Sequence, residues 1–328
     1  MIHNQEVNRD LQNQGIQFIM DTDGTQFVPW EELTADDVVI IPAFGTTIEI
    51  EEKLNTIGIQ VEQYNTTCPF VEKVWKRSAK LGDENHTIII HGKHNHEETR
   101  ATFSHSASRA PSVIVKNIDE ARTLGKVIKK QLSKEDFYQF FEGKYSEGFD
   151  PDRHFDKVGV VNQTTMLATE TQEIADYIKQ VMVDLYDKDY KAHFADTRDT
   201  LCYATNDNQD ATYGLLQEKA DFAIVVGGYN SSNTSHIVEL LSRKFPTYFV
   251  NSAEEIKSNE EIHHYDYDAK KIIRSTGWLP PGERAKIVLT SGASCPDTLV
   301  DEVMLKILEY FPGTLSVEEL FAQMDLNE

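Results

Sequence analysis

The chain is poor in cysteine, in basic residues and in long apolar runs. Its 328 residues include only three cysteines, Cys68, Cys202 and Cys295, and no two of them form a CxxC pair. An odd number of widely spaced cysteines argues against a disulfide framework and leaves reduced thiols or metal ligands. No apolar run reaches the roughly 20 residues of a membrane helix, and the first residues lack a signal-peptide layout. The sequence therefore predicts a cytoplasmic protein that has no membrane partner.

Basic residues are outnumbered, with 32 lysines and arginines against 54 acidic residues, which gives a formal net charge of −22. A chain of this charge repels a phosphate backbone, so nucleic acid is excluded as a partner. A small anionic substrate would instead need neutral hydrogen-bond donors gathered in one place. The 40% of apolar residues is enough to bury a substantial core, and the length suits two or three domains.

Short β-branched runs alternate with amphipathic helical stretches along most of the chain. This alternation predicts an α/β fold with parallel sheets and crossover helices. Predicted strands lie in the runs DDVVIIPAFG, GIQVEQY, HTIIIHG, KVGVVNQ, DFAIVVGG, TYFVNS and AKIVLTSG. Predicted helices include VEKVWKRSAKL, ETQEIADYIKQVM, HIVELLSRKF and DTLVDEVMLKILEYF. A charged stretch at about 119–156 breaks the rhythm, and we expect it to form a helical insertion on the surface.

Chemically reactive residues are concentrated where predicted strands give way to helices. Open parallel sheets bind ligands at the carboxyl ends of their strands, so these junctions predict one central site. The junction segments are PAFGTT, NTTCP, HGKHNHEET, NQTTM, GGYNSSNTS and TSGASCPD.

Two of these junctions, GGYNSSNTSH and GASCPD, are rich in small neutral hydrogen-bond donors. A helix is predicted to begin near Thr234 or Ser235, and backbone amides at a helix start attract anions. A simple capping loop is the alternative interpretation, because Ser, Thr and Asn are common there in any case. Taken together, the two loops favour a site for a phosphate or diphosphate without any Walker sequence.

The HGKHNHEET junction carries His91, His94, His96 and Glu98 within eight residues. Imidazole and carboxylate are the usual ligands of zinc, but the segment lacks the HExxH spacing. An acid–base pair or a phosphate contact is an equally good interpretation, and a polar loop with incidental histidines is the third.

Cys68 stands directly before a predicted helix, with Pro69 at the first helical position. The positive end of the helix dipole favours a thiolate there. A nucleophile, a metal ligand and an inert thiol all remain open from this segment. Cys202 has the same placement, which makes a shared metal more attractive, because isolated cysteines from distant segments hold iron–sulfur clusters.

The junction motifs together resemble the LytB-type 4-hydroxy-3-methylbut-2-enyl diphosphate reductases along almost the whole chain. The HGKxxHEET form, the GFDPD insertion and PAFG are similar to the longer branch of plants and cyanobacteria. The resemblance rests on HN at positions 3 and 4, TTCPFVEKVW, HGKHNHEET, VNQTTM, TLCYATNDNQDA, VVGGYNSSNTSH and SGASCPDTLVDEV.

The resemblance implies a trefoil of three related α/β domains around a central cavity. The expected ranges are 1–67, 68–199 with the insertion, and 200–312, followed by a tail at 313–328. It also implies a 4Fe–4S cluster held by one cysteine from each domain, with ferredoxin or flavodoxin as electron donor. The implied reaction is reductive dehydroxylation to isopentenyl and dimethylallyl diphosphates, the last step of the non-mevalonate isoprenoid pathway.

Family roles pass to the matching positions of this sequence. Cys68 and Cys202 correspond to cluster ligands, Glu98 to the proton-delivering carboxylate, and Thr164 to its partner near the substrate hydroxyl. The residues that correspond to the diphosphate-binding set are His3, His96, Ser231, Ser232, Asn233 and Ser294.

The sequence departs from the family at two places. The family's first cysteine, in a segment that precedes the HN motif, is absent, so the third cluster ligand is missing. We expect an incomplete sequence, with a truncated or divergent protein as the alternatives, and we expect Cys295 to fill a small-residue position rather than to substitute. Phe44 stands where many relatives carry a diphosphate-binding histidine.

Two other functions remain open beside the reductase. The loop from His91 to Glu98 could serve a zinc or acid–base hydrolase. A protein without the first cluster ligand could instead be a non-catalytic remnant that binds a diphosphate.

Overall fold

The computed structural model describes residues 1–195, 200, 202–282, 284–315 and 319. Its helices in these ranges are α1 (Gln5–Asn13), α2 (Ile48–Ile57), α3 (Pro69–Asp83), α4 (Glu97–Ala107), α5 (Ile118–Ile128), α6 (Lys134–Phe140), α7 (Pro151–His154), α8 (Ala168–Tyr186), α9 (Tyr203–Leu215), α10 (Ser232–Ser242) and α11 (Asp297–Leu308). Its strands are β1 (Thr87–His91), β2 (Ser112–Val115), β3 (Val158–Asn162), β4 (Phe194–Ala195), β5 (Phe222–Val226), β6 (Thr247–Val250), β7 (Glu261–Asp266), β8 (Lys271–Thr276) and β9 (Ile287–Ser291). Within the described ranges, every helix is too short or too polar to cross a membrane.

The first of two compact units contains Met1–Ile2 and Gly15–Asn206, and it is built on a parallel sheet in the order β2-β1-β3-β4. Every residue of β1 and β3 is buried, as expected for apolar strands covered on both faces. Side chains of α3 and α4 pack on the sheet face that contains Ile88 and Ile90. Side chains of α5 and α8 pack on the opposite face, around Ile89 and Val113.

Two predicted strands in the first 67 residues are not strands. Ile41 makes a single parallel bridge with Asn65, and Val61–Tyr64 forms a 3₁₀ helix. Val38 and Ile40 are 64% and 56% exposed. A strand needs a neighbour that pairs with its backbone, and in the described part of the chain residues 38–40 have none. The apolar run therefore forms extended chain outside any sheet.

The stretch at 119–156 contains most of α5 and all of α6 and α7. The expectation that this stretch lies on the surface is wrong for four of its five phenylalanines. Phe137, Phe141, Phe149 and Phe155 are all at most 6% exposed and belong to the same core cluster as α5 and α8. The Phe137 ring lies 5.1 Å from the Phe149 ring and 5.3 Å from the Phe141 ring, measured between centroids. Aromatic packing therefore attaches the stretch to the sheet.

The second unit contains His3–Gln14 and Asp207–Glu328, and it is built on a parallel sheet in the order β6-β5-β9. A separate antiparallel hairpin is formed by β7 and β8. Side chains of α10 cover one sheet face, around Ala223 and Val225, and side chains of α11 cover the other, around Ile224 and Val226.

The predicted α/β class with parallel sheets is confirmed, and β1, β3, β5, β6 and β9 lie within their predicted runs. The division into three domains stays a prediction. Its boundary residue 199 and most of the predicted tail at 313–328 lie outside the described residues.

The aromatic cluster of the 119–156 stretch generates a stability test. Replacing the fully buried Phe137 by alanine leaves a cavity and should lower the free energy of unfolding by about 3 to 5 kcal/mol. Phe140 lies on the same helix and is 55% exposed, so Phe140→Ala should change stability by about 0.5 kcal/mol or less. Urea unfolding of both variants measures the difference, and equal shifts of the midpoint would contradict the assignment of Phe137 to the core.

Candidate functional site

Cys68 is held at the N-terminus of α3 by its backbone. Its N–H donates to the Ala43 carbonyl at 2.8 Å, and its own carbonyl accepts from the Glu72 N–H at 3.1 Å. Pro69 is the first residue of the helix, as predicted. The thiol is half-buried and makes no disulfide. Cys68 therefore lies at the positive end of the helix dipole, as the sequence predicted.

Cys202 is also half-buried and free, and it directly precedes α9, with the Asn206 N–H bonded to its carbonyl at 3.0 Å. The ring of Tyr203 lies 5.1 Å from the ring of Phe70, measured between centroids. Since these aromatic residues are one and two positions from the cysteines, the two cysteine segments meet. The two thiols therefore lie on segments that are in contact with each other.

Glu98 and Thr164 are brought together by the parallel pairing of β1 with β3. His91 at the end of β1 pairs with Asn162 at the end of β3, and the next residue, Gln163, donates its N–H to the His91 carbonyl at 2.8 Å. Glu98 lies in the first turn of α4, which follows β1, and its carboxylate accepts a hydrogen bond from the Thr164 backbone amide. Both side chains are at most 5% exposed. Glu98 and Thr164, which the sequence predicts to be partners, are therefore in direct contact.

The Glu98 carboxyl is strongly affected by its burial. Removal from water raises the pKa of Glu98 to about 7, although hydrogen bonds from the Thr164 amide and hydroxyl act in the opposite direction. A carboxyl with this pKa holds its proton in a large share of molecules at neutral pH. It is therefore suited to donating a proton in a reaction.

Glu97 is a second buried acid that sequence reasoning missed. Burial raises the pKa of Glu97 to about 7, and the negative charge of Glu98 adds to the effect. Two adjacent acids at a helix start ordinarily indicate only a favourable interaction with the helix dipole. The sequence contains no further signal, because burial of Glu97 depends on tertiary packing.

Gln163 joins the loops that follow β1 and β3. Its side-chain carbonyl accepts from the Lys93 backbone N–H at 3.2 Å and from the Thr99 hydroxyl at 2.9 Å, and its amide donates to the Thr165 hydroxyl at 2.7 Å. Next to it, Asn162 accepts a hydrogen bond from the Thr200 hydroxyl, close to Cys202 in the chain. The sequence predicts that this junction belongs to the site, but it does not predict that the Gln163 side chain connects the two loops.

The histidine loop does not form a zinc site by itself. His91 is fully buried with Nδ1 at 2.8 Å from the Thr171 hydroxyl, whereas His94 is exposed. His96 caps α4, and its Nδ1 accepts the Glu98 N–H at 3.2 Å. Among the described residues, the four loop residues do not place three ligand atoms within 4.8 Å of one another.

The two donor loops of the second unit contact each other. Val226 at the end of β5 pairs with Ser291 at the end of β9, and the Gly292 N–H donates to the Val226 carbonyl at 3.1 Å. A Cβ at position 292 would lie 1.9 Å from the Thr234 hydroxyl oxygen, so only glycine allows this approach. The parallel sheet therefore brings the GGYNSSNTS and TSGASC segments side by side.

Ser231 caps α10, which begins at Ser232, slightly earlier than the predicted start at Thr234 or Ser235. The Ser231 hydroxyl oxygen accepts from the Thr234 amide at 3.3 Å and from the Thr234 hydroxyl at 3.0 Å. With its oxygen engaged in this way, the Ser231 hydroxyl can still donate its own proton. The hydroxyl is thus oriented as a donor.

Asn233 is 3% exposed, and neither its amide nitrogen nor its amide oxygen has a hydrogen-bond partner among the described residues. Unpartnered buried polar atoms are costly, so they indicate a ligand contact. Ser232 is buried beside it and Ser294 is exposed. The His3 carbonyl oxygen lies 1.9 Å from where a Cβ at Gly228 would be, which places the backbone of His3 against the same loop.

Cys295 packs among the apolar side chains beneath α11. Burial raises the pKa of Cys295 to about 11, and the nearby Asp297 charge adds to the effect. This residue is a neutral thiol near pH 7, unlike a metal ligand. The interpretation of Cys295 as a packed small residue is therefore the one that its surroundings favour.

The predicted site residues divide evenly between the two units. The first unit contains Cys68, His96, Glu98, Thr164 and Cys202, and the second contains His3, Ser231, Ser232, Asn233 and Ser294.

Comparison with known proteins supports one family. The model of the family described as LytB protein matches residues 1–308. A 4-hydroxy-3-methylbut-2-enyl diphosphate reductase of Picosynechococcus sp. is 39% identical over 309 residues, which are 94% of this chain and 74% of that protein. The enzyme of the same name from Microcystis aeruginosa is 40% identical over 312 residues, covering 94% and 75% of the two chains.

Solved structures agree. The structure of an (E)-4-hydroxy-3-methyl-but-2-enyl diphosphate reductase, described as the terminal enzyme of the non-mevalonate pathway, is 25% identical with a TM-score of 0.50. The match covers 94% of this chain and 85% of that one. The Plasmodium falciparum E-1-hydroxy-2-methyl-but-2-enyl-4-diphosphate reductase is 20% identical with a TM-score of 0.63, covering 100% and 87%, and shows the shared fold. The chain belongs to the LytB family.

Proposed function

We propose that this chain is a reductase that converts 4-hydroxy-3-methylbut-2-enyl diphosphate into isopentenyl and dimethylallyl diphosphates. The relatives and the solved structures bear the name of this enzyme. The observation that carries the proposal is the buried Glu98 carboxyl, with a pKa of about 7 and a hydrogen bond from Thr164. A hydrolase of the zinc type would instead need the predicted residues His91, His94, His96 and Glu98 to converge, and among the described residues no three of them do.

The cofactor of the proposal is a 4Fe–4S cluster. Cys68 and Cys202 fit it, because they are free half-buried thiols at helix starts whose segments meet. When bound, such a cluster supplies electrons and a Lewis-acidic iron. Cys295 is not assigned to the cluster, because it is packed among apolar side chains as a neutral thiol.

The proton of the proposed reaction comes from Glu98. The reaction adds two electrons and two protons, breaks the allylic carbon–oxygen bond and releases the hydroxyl group as water. Glu98 gives one proton to the leaving oxygen, and the Thr164 amide then stabilises the carboxylate that forms. The Thr164 hydroxyl also bonds this carboxyl and can orient the substrate hydroxyl beside it.

Neutral donors hold the diphosphate in this proposal. Ser231, Ser232 and Asn233 lie at the start of α10, where backbone amides and the helix dipole add to the attraction for an anion. His3, His96 and Ser294 complete the set by family resemblance. The three-domain arrangement around a central cavity, the cytoplasmic location and a ferredoxin or flavodoxin donor belong to the same proposal.

Loss of one cluster ligand gives a first test. Cys68→Ser should lose most of its iron and its brown colour after anaerobic reconstitution, because a hydroxyl is a poor replacement for a thiolate on iron. Cys295→Ser is the matched control and should keep both. Iron and acid-labile sulfide assays measure the outcome. Stoichiometric zinc in the wild-type protein would instead support the zinc hydrolase. A colourless wild-type protein that still binds the diphosphate would support the non-catalytic remnant.

Removal of the proton donor gives a second test. Glu98→Gln should lower kcat about 10²- to 10⁴-fold while iron content and substrate affinity stay close to wild type. Glu97→Gln is the control, because it changes an adjacent buried acid and keeps the Glu98–Thr164 hydrogen bond, and it should retain turnover within about tenfold. Full activity of Glu98→Gln would remove Glu98 from its role.

The pH dependence of turnover follows from the raised pKa of Glu98. Protonated Glu98 is the active form, so kcat of the wild-type enzyme should fall as pH rises through about 7. The residual activity of Glu98→Gln should lack this decrease. A pH–rate profile with a chemical reductant measures both, and an identical decrease in the variant would assign the titration to another group.

A further inference from the structure

A buried histidine follows the diphosphate-binding residues on α10 and has no role in the function proposed above. His236 is 5% exposed, and its Nε2 has no hydrogen-bond partner among the described residues. Burying an imidazole nitrogen without a hydrogen-bond partner lowers the stability of the fold. The burial of His236 Nε2 therefore indicates a ligand contact.

The position of His236 on the helix connects it with the donor loop. It follows Ser232 by four residues and Asn233 by three, which puts all three on one face of α10. Helical side chains tilt toward the N-terminus, so the imidazole leans toward the turn that carries these two residues. Asn233 is itself buried with both amide atoms unpartnered. Two neighbouring side chains on this face therefore present unused polar atoms.

The other side of the ring faces an acid. His236 Nδ1 lies 3.8 Å from a carboxylate oxygen of Glu239, which also pairs with Arg243 at 2.8 Å. The interactions with His236 and with Arg243 lower the pKa of Glu239 to about 2, so this acid is a carboxylate throughout the physiological range. Glu239 therefore lies on the Nδ1 side of the ring, away from Nε2.

We propose that His236 is a further binding residue for the diphosphate, which donates a hydrogen bond from Nε2 to the anion held by Ser232 and Asn233. This inference rests on the proposed function and adds an imidazole to the hydroxyl and amide donors at the start of α10. Glu239 lies on the Nδ1 side of the ring.

Titration calorimetry of the full chain with inorganic diphosphate tests the proposal. His236→Leu should weaken binding about tenfold or more, because it removes a hydrogen bond to a charged group. His263→Leu is the matched control, because His263 also pairs with a carboxylate, Glu261, at 2.9 Å, but lies on the β7–β8 hairpin. It should bind like wild type.

A second variant separates binding from a structural role. His236→Gln keeps a side-chain N–H that can donate to the anion, so it should weaken binding less than His236→Leu does. A purely structural histidine would shift the urea midpoint in both variants and leave the affinity for diphosphate unchanged. If the Leu variant does not fold, His236→Ala serves for the same comparison.

The outcomes distinguish the two proposals. Equal affinity of wild type and His236→Leu would overturn the role of His236. If Asn233→Ala loses affinity in the same experiment, the diphosphate site itself stands. A wild-type chain that does not bind diphosphate at all would overturn both.

Discussion

The parallel pairing of β1 with β3 is the constraint on which the proposed chemistry depends. It fixes the register in which His91 lies opposite Asn162, and from there the backbone places the Thr164 amide on the Glu98 carboxylate. A shift of one residue would exchange the sheet faces of every side chain and separate these two groups. Complete burial of both strands makes such a shift very unfavourable. The backbone that forms the core thus also positions a carboxyl whose burial keeps it partly protonated.

Binding of an anion by so acidic a chain is a question of local rather than net charge. At a net charge of −22 the long-range field opposes a diphosphate, but surface charges are screened within roughly 10 Å at moderate salt. Donors at a helix start act at contact distance and are already oriented, as the doubly engaged Ser231 oxygen illustrates. A buried lysine or arginine would need a buried counter-ion whenever the site is empty. Neutral donors avoid this cost.

The sequence predicted those parts of the molecule that depend on local pattern. Strands such as HTIIIHG and DFAIVVGG were identified because continuous apolar runs indicate burial on both faces. The four-residue β2 and the two-residue β4 were missed because they are too short to show a pattern. The apolar run at 38–41 was assigned as a strand, yet whether a run forms a strand depends on a neighbour that sequence alone does not reveal. In the site, residue types at strand ends were informative, whereas the burial of Glu97 and His236 arises from tertiary packing.

The two units of the chain differ in the kind of group that they contribute. The first unit carries the Glu98 carboxyl, which gives up a proton in the proposed reaction, and the thiols of Cys68 and Cys202, which would hold the cluster. The second carries mainly hydroxyls and amides, whose charge is constant at any pH relevant to a cell, together with the imidazoles of His3 and His236. Because a neutral donor responds only to the shape and charge of its ligand, pH should affect turnover chiefly through the first unit, where burial raises the pKa of Glu98 to about 7. The pH dependence of the proposed chemical step therefore follows from the residue types of that unit.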